Sequence, residues 1–270
     1  MHPILFSFGS FELRSYTVFA ALGAWLAFWF LRRRRAEMGV FREEPFWVLV
    51  NLCLVSMFVF ARLTYLATDA PPGSLNFWSS LFAINSGFSV FGFVGGMFAG
   101  VYAFCRLYRL DYLKAVDLFS VALPLWLATA RIGCFLTGCC YGSPAPPGLP
   151  WAVIFTHPAS DMPLEWRGMP LHPAQIYEAV GDLLLAALLY GGVLRGIRRG
   201  RLPKGSAAAA YLAGYGILRI VLERFRGDTV PGIGPWTMGQ VLSLGLCLVA
   251  LGLFWVIFHR AKATRDPPLA

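Results

Sequence analysis

Charge is what this sequence has least of. Only 14% of its 270 residues are Asp, Glu, Lys or Arg, against about a quarter in an ordinary soluble domain. With 57% of the residues hydrophobic, a water-solvated globule is excluded, because it would expose far too much apolar surface. Acidic residues are the scarcer sign, 14 against 23 Lys and Arg, but the excess of basic charge is not a nucleic-acid footprint. The basic residues fall in short clusters between apolar runs, the pattern of cytoplasmic loops in a membrane protein. An internal repeat and paired broken helices are both missing, which argues against a transporter. No basic stretch precedes the first apolar run after Met1-His2-Pro3, so the first helix is expected to be retained rather than cleaved.

What is present is a series of apolar runs, each near the ~20 residues a spanning helix needs. They cover roughly 16–31, 46–66, 87–104, 115–138, 172–194, 207–222 and 238–258. Arg32 to Arg35 end the first, and four consecutive arginines are costly to translocate, so that end is expected inside and the N-terminus outside. Arg106, Arg109 and Lys114, then Arg195 to Lys204, then Arg260, Lys262 and Arg265 fall on the same side. The expectation is an all-α integral membrane protein of about seven transmembrane helices, a single polytopic domain over 1–270. A Pro/Gly-rich outer (periplasmic) loop region over 139–171, a loop beyond Thr68 and short interfacial pieces around Phe77 to Ile84 complete it. The 23 Phe and 9 Trp suit the aromatic belts of such a protein.

Ionisable residues inside the apolar runs are candidates for function, because a charge in hydrocarbon costs several kcal/mol unless it is paired or hydrated. Arg131 opens the glycine-rich segment Arg131-Ile132-Gly133-Cys134-Phe135-Leu136-Thr137-Gly138-Cys139-Cys140-Tyr141-Gly142, whose glycines allow close backbone approach and argue for a built site over an interfacial arginine snorkelling to headgroups. Tyr215, Arg219, Glu223 and Arg226, spaced four, four and three, fall on one helical stripe. Two arginines against one glutamate leave a net positive pocket suited to a phosphate, with an interhelical ion-pair network as the alternative. His172-Pro173-Ala174-Gln175-Ile176-Tyr177-Glu178 starts the fifth run, where Gln175 and Glu178 read as capping or packing residues as readily as chemical ones. The glycine-dense segment from Gly87 to Gly96, which includes Ser89, reads either as small-residue helix packing or as a smooth wall beside an acyl chain.

Six cysteines divide into two groups. Cys53, Cys105 and Cys247 lie in apolar runs as small core residues. Cys134, Cys139 and Cys140 surround the arginine segment, and three readings stand for them. Zinc would need a fourth ligand, for which only His157 or His172 is near in sequence. A disulfide suits an outer face, and a reactive thiol suits a neighbouring arginine.

These motifs together resemble the bacterial phosphatidylglycerol–prolipoprotein diacylglyceryl transferase family over nearly the whole chain. Arg131 to Gly142 fits the frame of the family's Arg-Ile-Gly-Asn-Phe-Ile-Asn-Gly-Glu signature without a gap. Tyr215, Arg219, Glu223 and Arg226 match its Tyr-x3-Arg-x3-Glu-x2-Arg stripe, His172 to Glu178 its His-Pro-x-Gln-x-Tyr-Glu segment, and Met238-Gly239-Gln240 the start of its last helix. Tyr16 and Asp117 also fall in place. The departures are specific. Phe91 stands where the family keeps a third-helix histidine, Cys134 and Thr137 replace the signature asparagines, and Cys139 replaces its glutamate.

The resemblance implies transfer of a diacylglyceryl group from phosphatidylglycerol to the lipobox cysteine of a prolipoprotein, with glycerol phosphate leaving, in a bacterial inner membrane. Its partners are then phosphatidylglycerol, the signal-peptide and lipobox region of prolipoproteins, and membrane lipids, with no nucleic acid. Such a displacement at carbon needs a thiolate and stabilisation of the departing phosphate. Arg131, Arg219, Tyr215 and Glu223 are the expected catalytic residues. Tyr16, Ser89, Gly133, Cys134, Gly142, Arg226, His172 and Gln175 are expected to bind substrate. No metal or cofactor is called for where arginines supply the positive charge. With Phe91 in place, the base for the thiol stays open among Glu223, His172, a tyrosine, the acidity of the substrate thiol in an electropositive pocket, and the cysteines. A related lipid enzyme with another acceptor, or a non-catalytic lipid or lipoprotein binder, are the other readings.

Overall fold

The computed structural model describes residues 2–9, 11–68 and 89–265. The loop expected after Thr68, the interfacial pieces around Phe77 to Ile84, Gly87, Phe88 and the side chain of Phe91 lie outside the described residues. The chain divides into two compact units, Met1–Leu31 with Asp117–Ala270, and Arg32–Val116.

Seven long helices appear in the expected order among the described residues: α1 (Ser15–Arg34), α2 (Glu43–Thr68), α3 (Val90–Leu107), α4 (Tyr112–Thr137), α5 (Ala174–Leu188), α6 (Ser206–Leu222) and α7 (Met238–Arg265). Helix α5 continues through a π turn at Leu189–Leu194, which contains Gly191-Gly192, to Arg198. Among the described residues, five segments are each long and apolar enough to cross a membrane: Ser15–Met38, Glu43–Ala67, Tyr112–Thr137, Ala174–Arg198 and Met238–Lys262. Helix α3 is apolar but shorter, and α6 has 17 residues and carries Arg219, so five segments rather than seven meet that standard unaided. Their outward faces are apolar, with Trp25, Trp29, Leu184, Leu188, Leu248 and Trp255 exposed. Water would not tolerate such faces and lipid does. The protein is an α-helical integral membrane protein.

In the unit Arg32–Val116, α2 and α3 pack through glycine. Gly92, Gly96 and Gly100 recur every fourth residue on one face of α3, and a Cβ on any of them would run into α2, at Ala61, Met57 and Cys53 respectively. Small residues at that spacing let two helix backbones touch. The packing reading of this segment therefore holds for Gly92 and Gly96, while Gly95 faces open space. Ser89 caps this arrangement, its N–H donating to the Ala61 carbonyl at 3.0 Å. At the opposite end of α2, Glu43 pairs with Arg32 (3.2 Å) and Arg35 (3.0 Å).

The other unit begins with an antiparallel hairpin, β1 (Ile4–Phe8) and β2 (Phe11–Arg14), an element that the hydrophobic runs did not announce. Helices α1 and α4 approach closely because Gly23 and Gly133 lack side chains. A Cβ on Gly133 would come within 2.9 Å of Tyr16 Cα, and one on Gly23 within 2.9 Å of the Trp126 carbonyl. The Trp126 indole N–H donates to the Ala20 carbonyl at 3.1 Å, fastening the pair.

The segment between α4 and α5 is a folded cap rather than an open loop. Strand β3 (Val153–Ile154) pairs with β4 (Pro170–Leu171), and Pro144 bridges Leu171 on the other edge. Phe155, Met162 and Leu171 form its small core, with Phe135, Tyr141, Val153 and Trp166 packed around them. Burying these apolar side chains stabilises the cap by about 1.5–3 kcal/mol each.

Candidate active site

Helix α4 ends at Thr137, and Gly138 follows with φ +87°. This left-handed closure of the helix is one only glycine adopts freely. The chain then turns through Cys140 (φ +54°) and enters an extended stretch. There Gly227 N–H donates to the Tyr141 carbonyl and Ser143 N–H to the Phe225 carbonyl, both at 2.9 Å. On its other edge, His172 N–H donates to the Ser143 carbonyl at 2.9 Å. Gly142 sits in the middle, where a Cβ would collide with the His172 carbonyl. The Arg131–Gly142 segment is thereby stitched to the residues that open α5 and to those that follow α6.

That stitching corrects the expected helical stripe. Helix α6 stops at Leu222, Glu223–Phe225 forms a 3-10 turn, and Arg226 is extended (φ −90°, ψ 142°) and bridged to Gly142. Tyr215, Arg219 and Glu223 keep helical spacing. Arg226 reaches the same place from a strand-like segment, because its backbone is paired with the signature turn instead of continuing the helix.

Three arginines from different elements converge on one carboxylate. Arg131 Nε of α4 pairs with Glu178 Oε2. Arg219 Nη1 of α6 lies 2.7 Å from Glu178 Oε1, and Arg226 Nη1 lies 2.6 Å from the same oxygen. Glu223 takes Arg219 Nη2 at 3.1 Å and accepts the Thr237 hydroxyl at 2.8 Å. Asp228 takes Arg226 Nη2 at 2.7 Å. Glu178 and Glu223 are both buried. The expected net positive pocket is thus a balanced cluster, three guanidinium groups held by three carboxylates, with Asp182 one helical turn beyond Glu178 and also buried. Burial works against the Arg226 charge, but Glu178 and Asp228 outweigh it and hold its pKa above the ordinary value. For Asp228, burial raises the pKa against the pull of Arg226.

The remaining candidate residues surround this cluster unevenly. Tyr215 stacks on Tyr211 (centroids 5.7 Å apart) and lies within electrostatic reach of Arg131, Arg219 and Asp182. Tyr16 lies within reach of Arg131 and the three nearby cysteines. Gln175 is fully buried and donates to the Cys139 carbonyl at 2.8 Å, so it braces the turn. His172 faces Tyr177 (Nδ1 to hydroxyl, 3.3 Å) and Phe225, beside the cluster rather than in it. Ser89 belongs to the other unit. The sulfurs of Cys134, Cys139 and Cys140 all lie within 4.8 Å of one another. Arg131 and Arg226 act electrostatically on Cys140 and favour its thiolate, against its burial.

A family model for prolipoprotein diacylglyceryl transferase matches residues 3–256. The chain belongs to that family. Whole-length relatives agree. The phosphatidylglycerol–prolipoprotein diacylglyceryl transferase of Geobacter sulfurreducens is 31% identical over 267 residues, 96% of each chain. The protein of that name in Rhodospirillum rubrum is 30% identical over 277 residues, 98% of this chain and 95% of the relative. The one in Clostridium tetani is 29% identical over 254 residues, 94% and 97% respectively.

For a member of the prolipoprotein diacylglyceryl transferase family, the residue sequence reasoning undervalued is Glu178, which read as a capping or packing residue as readily as a chemical one and is the centre of the cluster. A signal was available. Gln175, Glu178 and Asp182 repeat at helical spacing, and three arginines in apolar surroundings demand counter-charges. Thr237 was missed as well. Its N–H donates to Gln240 Oε1 (3.1 Å) while Gln240 N–H donates to Thr237 Oγ1 (3.2 Å). This is the reciprocal cap that a Thr-x-x-Gln spelling predicts at a helix start.

Proposed function

We propose that this chain, a multi-pass membrane transferase of a bacterial family, moves the diacylglyceryl group of phosphatidylglycerol onto the lipobox cysteine of prolipoproteins. The convergence of Arg131, Arg219 and Arg226 on Glu178 supports this reading most strongly. The thiolate sulfur attacks the glyceryl carbon that bears the phosphate ester. A carbon–sulfur bond forms, the carbon–oxygen bond breaks, and the electron pair leaves on glycerol phosphate. Guanidinium groups aimed at the phosphate oxygens stabilise the charge that develops there. Each brings five N–H donors in a fixed fork, enough to hold a phosphate alongside Glu178.

In this reading Arg131 and Arg219 bear the phosphate, Arg226 supports them, and Glu223 orients Arg219. Tyr16 and Tyr215 hydrogen-bond the headgroup or the thiol, while Gly133, Cys134, Gly142, His172 and Gln175 shape the binding walls. Asp182 joins Glu223 and His172 as a group to receive the thiol proton. The lipobox region of the prolipoprotein is the acceptor, and the basic clusters Arg32–Arg35, Arg195–Lys204 and Arg260–Arg265 support an N-terminus outside and a C-terminus inside.

The test is purified protein in phosphatidylglycerol vesicles with a fluorescent lipobox peptide, read as a mass gain of one diacylglyceryl unit. Lipidation that disappears in Arg131→Ala is the expected result. No lipidation by the folded protein over a range of lipids overturns the proposal, and activity gained only in Phe91→His would trace the failure to a missing base.

A further inference from the structure

We infer that Cys134, Cys139 and Cys140 form a three-sulfur site for a soft, thiophilic cation, with cuprous copper the ion of matching chemistry. The three sulfurs lie within 4.8 Å of one another. Three sulfurs around one ion at a bond length of about 2.3 Å stand about 4.0 Å apart in a trigonal plane, a distance that small side-chain rotations reach. The frame that carries them is already set. Gly138 (φ +87°) and Cys140 (φ +54°) fix the turn, the Cys139 thiol points back to the Cys134 carbonyl, and Gln175 holds the Cys139 carbonyl at 2.8 Å. Cys134 is buried and the other two are half-buried, so an ion has both access and cover.

The donor set selects the ion. Among the described residues no histidine or carboxylate joins the three sulfurs in one metal-holding group. The two histidines nearest in sequence, His157 and His172, stand outside that group. A structural zinc site with its four protein ligands is therefore not offered, whereas thiolates alone suit monovalent copper. A disulfide would use two sulfurs and strand the third, although it lies within 4.8 Å of both. Arg131 and Arg226 both act electrostatically on Cys140 and favour its thiolate.

The experiment uses full-length protein in detergent, reduced and kept under argon, titrated with cuprous ion presented by a colorimetric chelator. The expected result is withdrawal of one equivalent per chain, with three sulfur neighbours by X-ray absorption. Cys134→Ser, Cys139→Ser and Cys140→Ser, each checked for monodisperse elution, lose at least about 100-fold in affinity, since even an outer partner of a metal ligand is worth 10- to 100-fold. A variant carrying Cys53→Ser, Cys105→Ser and Cys247→Ser keeps full affinity. The inference is overturned if the wild type takes up no copper, if the three single variants bind as it does, or if the bound ion shows two sulfurs or four ligands. None of these readings depends on the transferase reaction.

Discussion

Glu178 and Arg219 meet at 2.7 Å across two helices, α5 and α6, and the same Glu178 oxygen also holds Arg226. One buried carboxylate therefore sets the positions of guanidinium groups that the covalent chain keeps far apart. Glu178→Gln preserves the shape and removes the charge that gathers them. Breaking a buried ion pair by neutralising one partner costs about 3–5 kcal/mol, so thermal unfolding in detergent should move clearly down. The catalytic effect should split. Uncovered arginines keep or improve KM for the anionic lipid, while kcat falls because the arginines lose their common anchor. A rise in KM at unchanged kcat would mean that Glu178 shapes binding alone.

Arg219 spans two carboxylates with its two terminal nitrogens, Glu178 at 2.7 Å and Glu223 at 3.1 Å. Lysine keeps the charge but is a point donor and cannot reproduce that fork. Arg219→Lys should fold and insert normally yet lose about 100- to 1,000-fold in kcat, the range for removing one preorganised donor from a developing anion. Peptide lipidation rates beside the thermal midpoint check both halves.

Gly142→Ala tests whether the signature turn positions Arg226. The new Cβ would meet the His172 carbonyl, and backbone cannot retreat as a flexible side chain does. Overpacking costs about 1–3 kcal/mol and would pry apart the Gly142–Arg226 bridge. Activity should fall further than stability predicts. Gly245→Ala, in α7 with nothing within 4 Å of the added atom, is the matched control and should leave activity unchanged.

The helices were legible in the sequence because hydrophobic length and arginine stops are local signals. The boundaries moved only slightly, the fifth helix starting at Ala174, just after Pro173, instead of at His172. The stripe of Tyr215, Arg219 and Glu223 was legible for the same reason, since helical spacing is written in the chain. The end of that helix was not. Whether Arg226 continues it or peels off into a bridge with Gly142 depends on a partner segment far away in sequence. The role of Glu178 was hidden likewise, because a carboxylate three residues after Gln175 reads as capping or packing as readily as chemistry until the arginines of α4 and α6 are known to face it. The hairpin at Ile4–Arg14 and the small core of Phe155, Met162 and Leu171 are too short for periodicity to separate from loop.

Asp117 carries the last prediction, and it separates architecture from chemistry. Its carboxylate is buried and accepts N–H groups from Gly205 (2.7 Å), Ala207 (2.9 Å) and Ala208 (3.3 Å), at the start of α6. The first N–H groups of a helix have no partner within it, and the positive end of its dipole favours an anion. Gly205, with φ +89°, lets the chain turn so that these groups face α4. Asp117→Asn keeps one acceptor oxygen, loses the charge and presents an NH2 group to backbone donors. Hydrogen bonds to a charged group are worth about 1.5–3 kcal/mol each, so unfolding should occur at a clearly lower temperature. Because α6 also carries Arg219, a loosened start lets the helix shift and kcat should fall modestly, by less than about tenfold, with KM unchanged. A loss as large as that of Arg219→Lys at unaltered stability would instead place Asp117 in the chemistry and refute its role as a helix cap.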